Sequence, residues 1–319
     1  MPASLLLRAV ETFTRAVSDV GTNSIKLLVA EVTGREVKPI LEESKQTRLG
    51  KDFYKTHVLQ PAAIAASAQA VAKFAALATQ KNAAGIRVVA TSAARDALNA
   101  SELSSAIETA SGLRMEIISG DQEADWVFQG ATTDSSLADS PILLLDVGGG
   151  SSEFILGKGN RKDFGQSLPL GSVRLMERFP AQDPPGKEPL TACRGWVRDF
   201  LEKELKPVLQ PLLSGQQHLQ LVGTGGTASI LARMETRLEE YDRGRIEATR
   251  ISRDRLRWHV EHLWSVPLAE RKQIVGLPRS RADVILFGAA IYEAVMELFG
   301  FSTLRISTRG LRFAVVLEG

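Results

Sequence analysis

Apolar positions along the chain recur with two periods, and the alternation between them predicts a succession of strands and helices. Arg15–Ser18 and Ser24–Val32 read as strands on either side of a sharp Asp19-Val-Gly-Thr-Asn turn, with Val37–Lys45 as a third strand. In the Ala-rich stretch Pro61–Lys81, Ile64, Val71, Phe74 and Ala78 step by 7, 3 and 4, one face of a helix opened by proline. Ile86–Ala90 is a short β-branched run, the mark of a buried strand. Asn99–Ser111 reads as helix, Met115–Ile118 as strand, and Asp121–Gly130 as a helix whose acidic first turn complements its dipole. Residues 131–140 are a polar link, and the pattern then starts again. Ile142–Leu145 is continuously apolar and predicts a central strand, followed by strands at Ser152–Gly157 and Asp163–Leu168. After a Pro-rich loop, Pro180–Pro189, come a helix Leu190–Leu213 kinked by Pro207, a strand His218–Val222 and a helix Thr224–Glu239. Helices Arg253–Trp264, Leu268–Val275 and Ser280–Phe299, a strand Leu304–Ser307 and a helix Arg309–Leu317 complete the chain. Strands alternating with helices argue an α/β fold. Residues 1–14 read as an irregular extension.

Length and charge narrow the function classes. The 319 residues predict two domains, divided within the polar link into 1–132 and 133–308. A net charge of +2, from 39 basic and 37 acidic residues, excludes a nucleic-acid binder that relies on a large basic excess. The single cysteine, Cys193, rules out an internal disulfide framework and a cysteine-based zinc site, and points to a reducing compartment. The longest strongly apolar stretch, Val284–Tyr292, is too short for a membrane span, so a cytoplasmic protein is expected.

Candidate chemistry lies in an internal repeat. Ala16-Val-Ser-Asp-Val-Gly-Thr-Asn-Ser-Ile and Leu143-Leu-Leu-Asp-Val-Gly-Gly-Gly-Ser-Ser-Glu are each an apolar strand, Asp-Val-Gly, a small polar run and a second strand. Asp19 and Asp146 stand 127 residues apart, close to one domain length. One such turn is commonplace. Two, one per half, predict a duplicated fold with both turns facing one cleft. The chemistry suits phosphate: Gly21, Gly148, Gly149 and Gly150 let backbone N–H groups approach an anion. Thr22, Asn23, Ser24 and Ser151 add side-chain donors. A carboxylate at a strand end can hold hydrated Mg²⁺ against the phosphate charge. No Gly-x-x-x-x-Gly-Lys-Ser/Thr occurs, which excludes a P-loop enzyme. Gly223-Thr-Gly225-Gly-Thr-Ala228 is a weak dinucleotide fingerprint, and Gly225 is better read as part of a backbone anion site at a helix start. His259 and His262 share a helix face but lack further metal-ligand partners nearby.

These turns resemble the two phosphate motifs of the exopolyphosphatase/guanosine pentaphosphatase family. Further matches follow in order: Ala90-Thr-Ser-Ala-Ala-Arg-Asp, Ile118-Ser-Gly-Asp-Gln-Glu-Ala, Ser167-Leu-Pro-Leu-Gly-Ser-Val-Arg-Leu, Gly223-Thr-Gly-Gly-Thr, Gly276-Leu-Pro-Arg-Ser-Arg-Ala-Asp and Ser307-Thr-Arg-Gly-Leu-Arg. The resemblance covers about residues 16–313. It departs at Ser18, where an apolar residue is usual, at Ala314 for glycine, and at Gln122 where a second acid often stands. The chain resembles the short, two-domain form. The resemblance implies two ribonuclease-H-like domains of the actin/hexokinase/heat-shock ATPase superfold around a central cleft, with the C-terminal helix, 309–319, packing back on the first.

It also implies a reaction: attack of water on a terminal phosphoanhydride of polyphosphate or guanosine pentaphosphate, releasing orthophosphate with Mg²⁺. Glu123 takes the place of the family's catalytic base, in the first turn of a helix whose dipole favours the ionised form. Asp146 and Glu153 would bind the metal with Asp19 in support, and Arg95 would clamp phosphate. Arg174 is as readily structural as functional, and the Arg281/Asp283 pair reads as structural. No nucleic-acid or membrane partner is expected, and a homodimer is compatible with the fold. Two other readings are a kinase of the same superfold and a non-catalytic binder of a phosphate alarmone. Against them stand the Glu123 motif, the lack of a sugar-binding segment, and the retention of Asp146 and Glu153.

Overall fold

The computed structural model describes residues 11–180 and 182–318, the side chain of Ala138 aside. Residues 1–10 of the expected extension lie outside the described residues. Thr12, Phe13 and Thr14 are not irregular: they begin the first strand, since their alternating pattern extends the pairing with the next strand. The strands are β1 Thr12–Val20, β2 Ser24–Thr33, β3 Glu36–Gln46, β4 Ile86–Ala90, β5 Met115–Ile117, β6 Ile142–Val147, β7 Ser152–Lys158, β8 Arg161–Leu168, β9 Gln220–Thr224, β10 Arg250–Ser252 and β11 Thr303–Ile306.

They form two sheets of one plan. The first has the order β3-β2-β1-β4-β5; the second is β10-β11-β9-β6-β7-β8. In each, a three-strand antiparallel meander (β1–β3, β6–β8) is joined by parallel strands on the side of its first strand. The duplication extends to single residues. Asp19 pairs with Lys26 across the first hairpin and Asp146 with Glu153 across the second, both pairs seven residues apart. The turns close alike, with Gly21 N–H donating to Ser24 O at 3.2 Å and Gly148 N–H to Ser151 O at 3.0 Å. This is the α/β actin/hexokinase-like architecture that the repeat and the resemblance implied.

Three apolar cores result. One lies under the first sheet and the Pro61–Gln80 helix, whose Ile64, Val71, Phe74 and Ala78 are all buried there. That helix is long and apolar enough in composition to cross a membrane, but this face packs into the core. A second core fills the second half and includes Cys193. The third joins the halves: Val17, Leu28 and Val89 of the first sheet and Ile142, Leu144 and Val222 of the second bury helices Gly120–Ala131 and Leu311–Glu318 between them. The two helices touch backbone to backbone at Gly130, where a Cβ would lie 1.9 Å from Gly310 O. Arg15 in β1 ties down the last turn, donating to Val316 O and Leu317 O at 3.1 and 2.9 Å.

Several elements differ from the sequence reading. The expected kinked helix is two helices, Lys187–Glu204 and Lys206–Leu213, parted at Leu205 ahead of Pro207. Helix 268–275 shrinks to Leu268–Arg271, and 280–299 divides into a 3₁₀ turn Arg279–Arg281 and a helix Ile285–Phe299. Helices Ser92–Arg95, Ser135–Ala138, Ser172–Arg178 and Arg243–Ala248 and strand β10 are too short to carry a periodic signal.

Candidate active site

One cleft between the sheets receives both Asp-Val-Gly turns. Its walls include Asp19, the Gly21–Ser24 turn, Asp146, the Gly148–Ser151 turn, Glu153 and Glu123. The strand register determines this: β1 and β6 both end at the cleft, so each Asp stands at the end of its strand and each glycine turn just beyond it. Gly148 and Gly149 are half-buried and Gly150 is buried. A Cβ on Gly149 would stand 2.9 Å from Thr22 Cβ, so glycine lets the second turn close on the first.

The four acids are held differently. Glu153 accepts from Ser167 Oγ at 2.8 Å. Glu123 starts the helix Gly120–Ala131, capped by Ser119 Oγ accepting from Gln122 N–H at 3.1 Å. Gly120 brings that helix against β8, since a Cβ there would lie 2.7 Å from Ser167 Cβ. Glu123 Oε2 accepts from Arg95 Nη1 at 3.0 Å, and the same Arg95 nitrogen donates to Ile118 O. Arg95 therefore turns to Glu123 and does not line the cleft, where the sequence reading had it clamp phosphate.

Gly225, expected at a backbone anion site, lies against Asp146. Its φ is +78°, and a Cβ would stand 2.1 Å from Asp146 Oδ1. The Asp146 carboxylate therefore lies beside the start of the Gly225–Glu235 helix, whose positive end favours it and whose Gly226 and Thr227 line the same cleft. Behind Asp146, the Tyr292 hydroxyl donates to strand-end carbonyls, Leu145 O at 2.9 Å and Thr224 O at 3.1 Å, within reach of one proton. Thr227 Oγ1 donates to Val147 O at 3.0 Å.

Electrostatics favours protonated or neutralised acids. Burial raises the carboxyl pKa values of Asp19, Asp146, Glu123 and Glu153; repulsion from neighbouring acids adds to the rise at Asp146, Glu123 and Glu153, while Lys26 and Arg312 oppose it at Asp19. Glu123 is pushed up to about 7 by burial, against the pull of Arg95. The expected helix-dipole preference for its ionised form is outweighed, because 8% exposure leaves little water to solvate the charge. Lys26 is lowered by burial and partly restored by Asp19 and Asp146. Arg281, lowered to about 10 by burial, also lines the cleft, which the structural reading of that residue did not anticipate. Lys26 was missed although the repeat points to it: it occupies in the first hairpin the place Glu153 holds in the second. The buried His259 ring lies with Nε2 2.7 Å from Glu235 Oε2. His262 stacks on Trp258.

Comparison with known proteins agrees with this fold. The family model described as "Ppx/GppA phosphatase family" matches residues 28–318. Exopolyphosphatase 2 of Mycobacterium tuberculosis is 33% identical, over 95% of this chain and 97% of its own length. Among solved structures, the Aquifex aeolicus Ppx/GppA family member has a TM-score of 0.79 at 28% identity, covering 97% of each chain. An exopolyphosphatase from Cytophaga hutchinsonii reaches 0.85 at 26% identity, over 96% of this chain and 98% of that one. The chain belongs to the Ppx/GppA phosphatase family.

Proposed function

We propose that the protein is an exopolyphosphatase that releases the terminal orthophosphate of inorganic polyphosphate, with Glu123 as general base. The observation that carries this is Glu123 itself: a buried carboxylate pushed to about 7, oriented by Arg95, in the cleft that receives both glycine turns. A base with a pKa near the working pH combines a useful ionised fraction with real proton affinity. A water oxygen bonds to the terminal phosphorus, the bridging P–O bond breaks toward the shortened chain, and the water proton passes to Glu123. The N–H groups of Gly149 and Gly150 and the hydroxyls of Thr22, Ser24 and Ser151, with Asn23, hold and orient the phosphate oxygens, while the Gly21 and Gly148 N–H groups close the two turns that carry them. Lys26 and Arg281 add positive charge on the cleft wall.

The residues also fit a divalent cation. Four carboxyls crowd one cleft with raised pKa values, a repulsion that a hard cation would relieve. Among the described residues no three acidic, histidine or cysteine side chains converge into a closed metal cage. That suits Mg²⁺, which keeps waters and shares its shell with phosphate oxygens. Asp146 and Glu153 would hold it, with Asp19 in support. When bound it neutralises charge on the transferred phosphoryl group.

The test is phosphate release by the purified protein from polyphosphate, guanosine pentaphosphate, ATP and pyrophosphate, each with and without Mg²⁺. The expected result is Mg²⁺-dependent release, fastest from polyphosphate, cut about 10²–10⁴-fold in Glu123→Gln with polyphosphate binding retained. Preference for guanosine pentaphosphate, or near-normal turnover by Glu123→Gln, would overturn the assignment.

A further inference from the structure

Against the Gly148–Ser151 turn, a residue of the first half reaches into the second. Tyr54 lies in the connection after β3, between Gln46 and the Pro61–Gln80 helix. Its ring forms one wall of a surface groove, while its hydroxyl is buried against the back of Gly150. A Cβ on Gly150 would stand 2.2 Å from the Tyr54 hydroxyl, 2.4 Å from Ser92 Oγ and 2.9 Å from Thr22 Oγ1. Three hydroxyls therefore converge on one glycine, and two of them, Thr22 and Ser92, belong to residues lining the cleft. The Tyr54 hydroxyl lies within hydrogen-bonding influence of the Thr22 and Ser92 hydroxyls, but neither contact has good bond geometry. It remains protonated, since burial pushes the phenol to about 12.

The second half grips this tyrosine at both ends. Glu177, in the Ser172–Arg178 helix, accepts from the backbone N–H groups of Phe53 and Tyr54 at 3.1 and 3.0 Å, one on each carboxylate oxygen. Arg174, one turn earlier, lies over the Tyr54 ring with its guanidinium carbon 4.0 Å from the centroid. The same guanidinium donates to Gly150 O and to Asp96 Oδ2, both at 3.0 Å. Arg174 thus binds the glycine turn, the tyrosine behind it and the opposite half at once, a role that fork geometry permits and lysine could not reproduce.

We infer that Tyr54, gripped by Arg174 and Glu177, is a positioning residue that props the Gly148–Ser151 turn and orients the Thr22 and Ser92 hydroxyls toward bound phosphate. The sequence could not have marked it, because it stands outside every phosphate motif and reaches the site only through tertiary packing. A buried hydroxyl without a firm partner costs stability, and structure alone gives no return for that cost. The return expected here is in binding. This inference rests on the phosphate-cleft reading but not on the identity of the reaction.

The experiment compares wild type with Tyr54→Phe, which removes the hydroxyl alone, in three measurements: thermal midpoint, steady-state kinetics on polyphosphate, and calorimetric binding of inorganic tripolyphosphate. The expected result is a midpoint unchanged or raised, with KM and the tripolyphosphate Kd raised about 3- to 10-fold and kcat little altered. Glu177→Gln should raise KM similarly, and the double variant should be no worse than the poorer single, since both act through one tyrosine. Unchanged KM and Kd in Tyr54→Phe, or a lowered midpoint alone, would reduce Tyr54 to a packing residue and overturn the inference. Full additivity of the two variants would break the link to Glu177 and overturn it as well. Should wild type bind tripolyphosphate without releasing phosphate, the exopolyphosphatase reading falls, and the binding comparison still decides the role of Tyr54.

Discussion

Asp146 owes its place to the residue that lies against it. Gly225 adopts φ +78° with its α-carbon against the carboxylate, so any side chain there meets both backbone strain and Asp146 Oδ1. Gly225→Ala should therefore displace the carboxylate without removing it. Its expected effect on activity resembles that of Asp146→Asn: a Mg²⁺ titration moved to higher concentration and a lowered maximal rate. It differs in stability, with a cost of about 1–3 kcal/mol from the strained backbone, where Asp146→Asn should be neutral or stabilising because it removes a buried charge. Denaturant midpoints of the two variants check this. Equal midpoints would show that the alanine is accommodated by relaxation elsewhere.

Among the elements, the Ile285–Phe299 helix supports the second sheet from beneath, and it carries a charge in its buried face. Glu293 is 1% exposed and accepts two bonds from Arg194 of the Lys187–Glu204 helix, at 2.7 and 2.6 Å. Burial raises the Glu293 carboxyl and Arg194 opposes the rise. Removing the arginine leaves the acid buried and unpaired. Arg194→Ala should cost about 2–3 kcal/mol, less than the roughly 3–5 kcal/mol of a fully buried pair because the Arg194 side chain is 31% exposed. Adding Glu293→Leu to Arg194→Met should recover most of the loss, since an apolar pair of similar volume has no charge to desolvate. Turnover should barely change, because neither residue lines the cleft. A loss in the double variant as large as in the single would show that packing, not the orphaned charge, sets the cost.

For the whole molecule, the crowded acids make stability depend on pH and on the cation. Glu123 has a folded pKa of about 7 against an ordinary value of 4.5. The folded state therefore binds more protons than the unfolded one between those values, and stability contributed by its protonated form is lost as pH rises through about 7. In chelator, the thermal midpoint of wild type should fall between pH 5.5 and 8 more steeply than that of Glu123→Gln. Lys26, lowered by burial, titrates with the opposite sign in both proteins, so the difference between them reports Glu123 together with the rise that its charge imposes on Glu153. Mg²⁺ should restore the midpoint most at pH 8, where the acids are ionised and can bind it. Parallel curves for the two proteins would mean that Glu123 carries its ordinary pKa.

The chain's own residues determined the α/β class, the duplication and both glycine turns, because these rest on local signals: apolar period, turn chemistry, and a repeat at matching positions. Asp19 and Asp146 were legible for the same reason, each standing at a repeated turn, whereas Glu123 and Glu153 were marked as functional by the family resemblance. What those groups face was decided by tertiary structure. Arg95 meets Glu123 because two strand ends bring them together across 28 residues of chain. Gly225 serves Asp146 because β6 and β9 run parallel side by side. Glu123 is half-protonated near neutrality because desolvation, a property of packing on all sides, outweighs the helix dipole that its sequence position supplies. Lys26 was within reach of the sequence through the repeat, since its partner across the hairpin is the first Asp. Tyr54 was not, because no periodicity or motif marks a residue whose importance comes from the other half of the molecule closing on it.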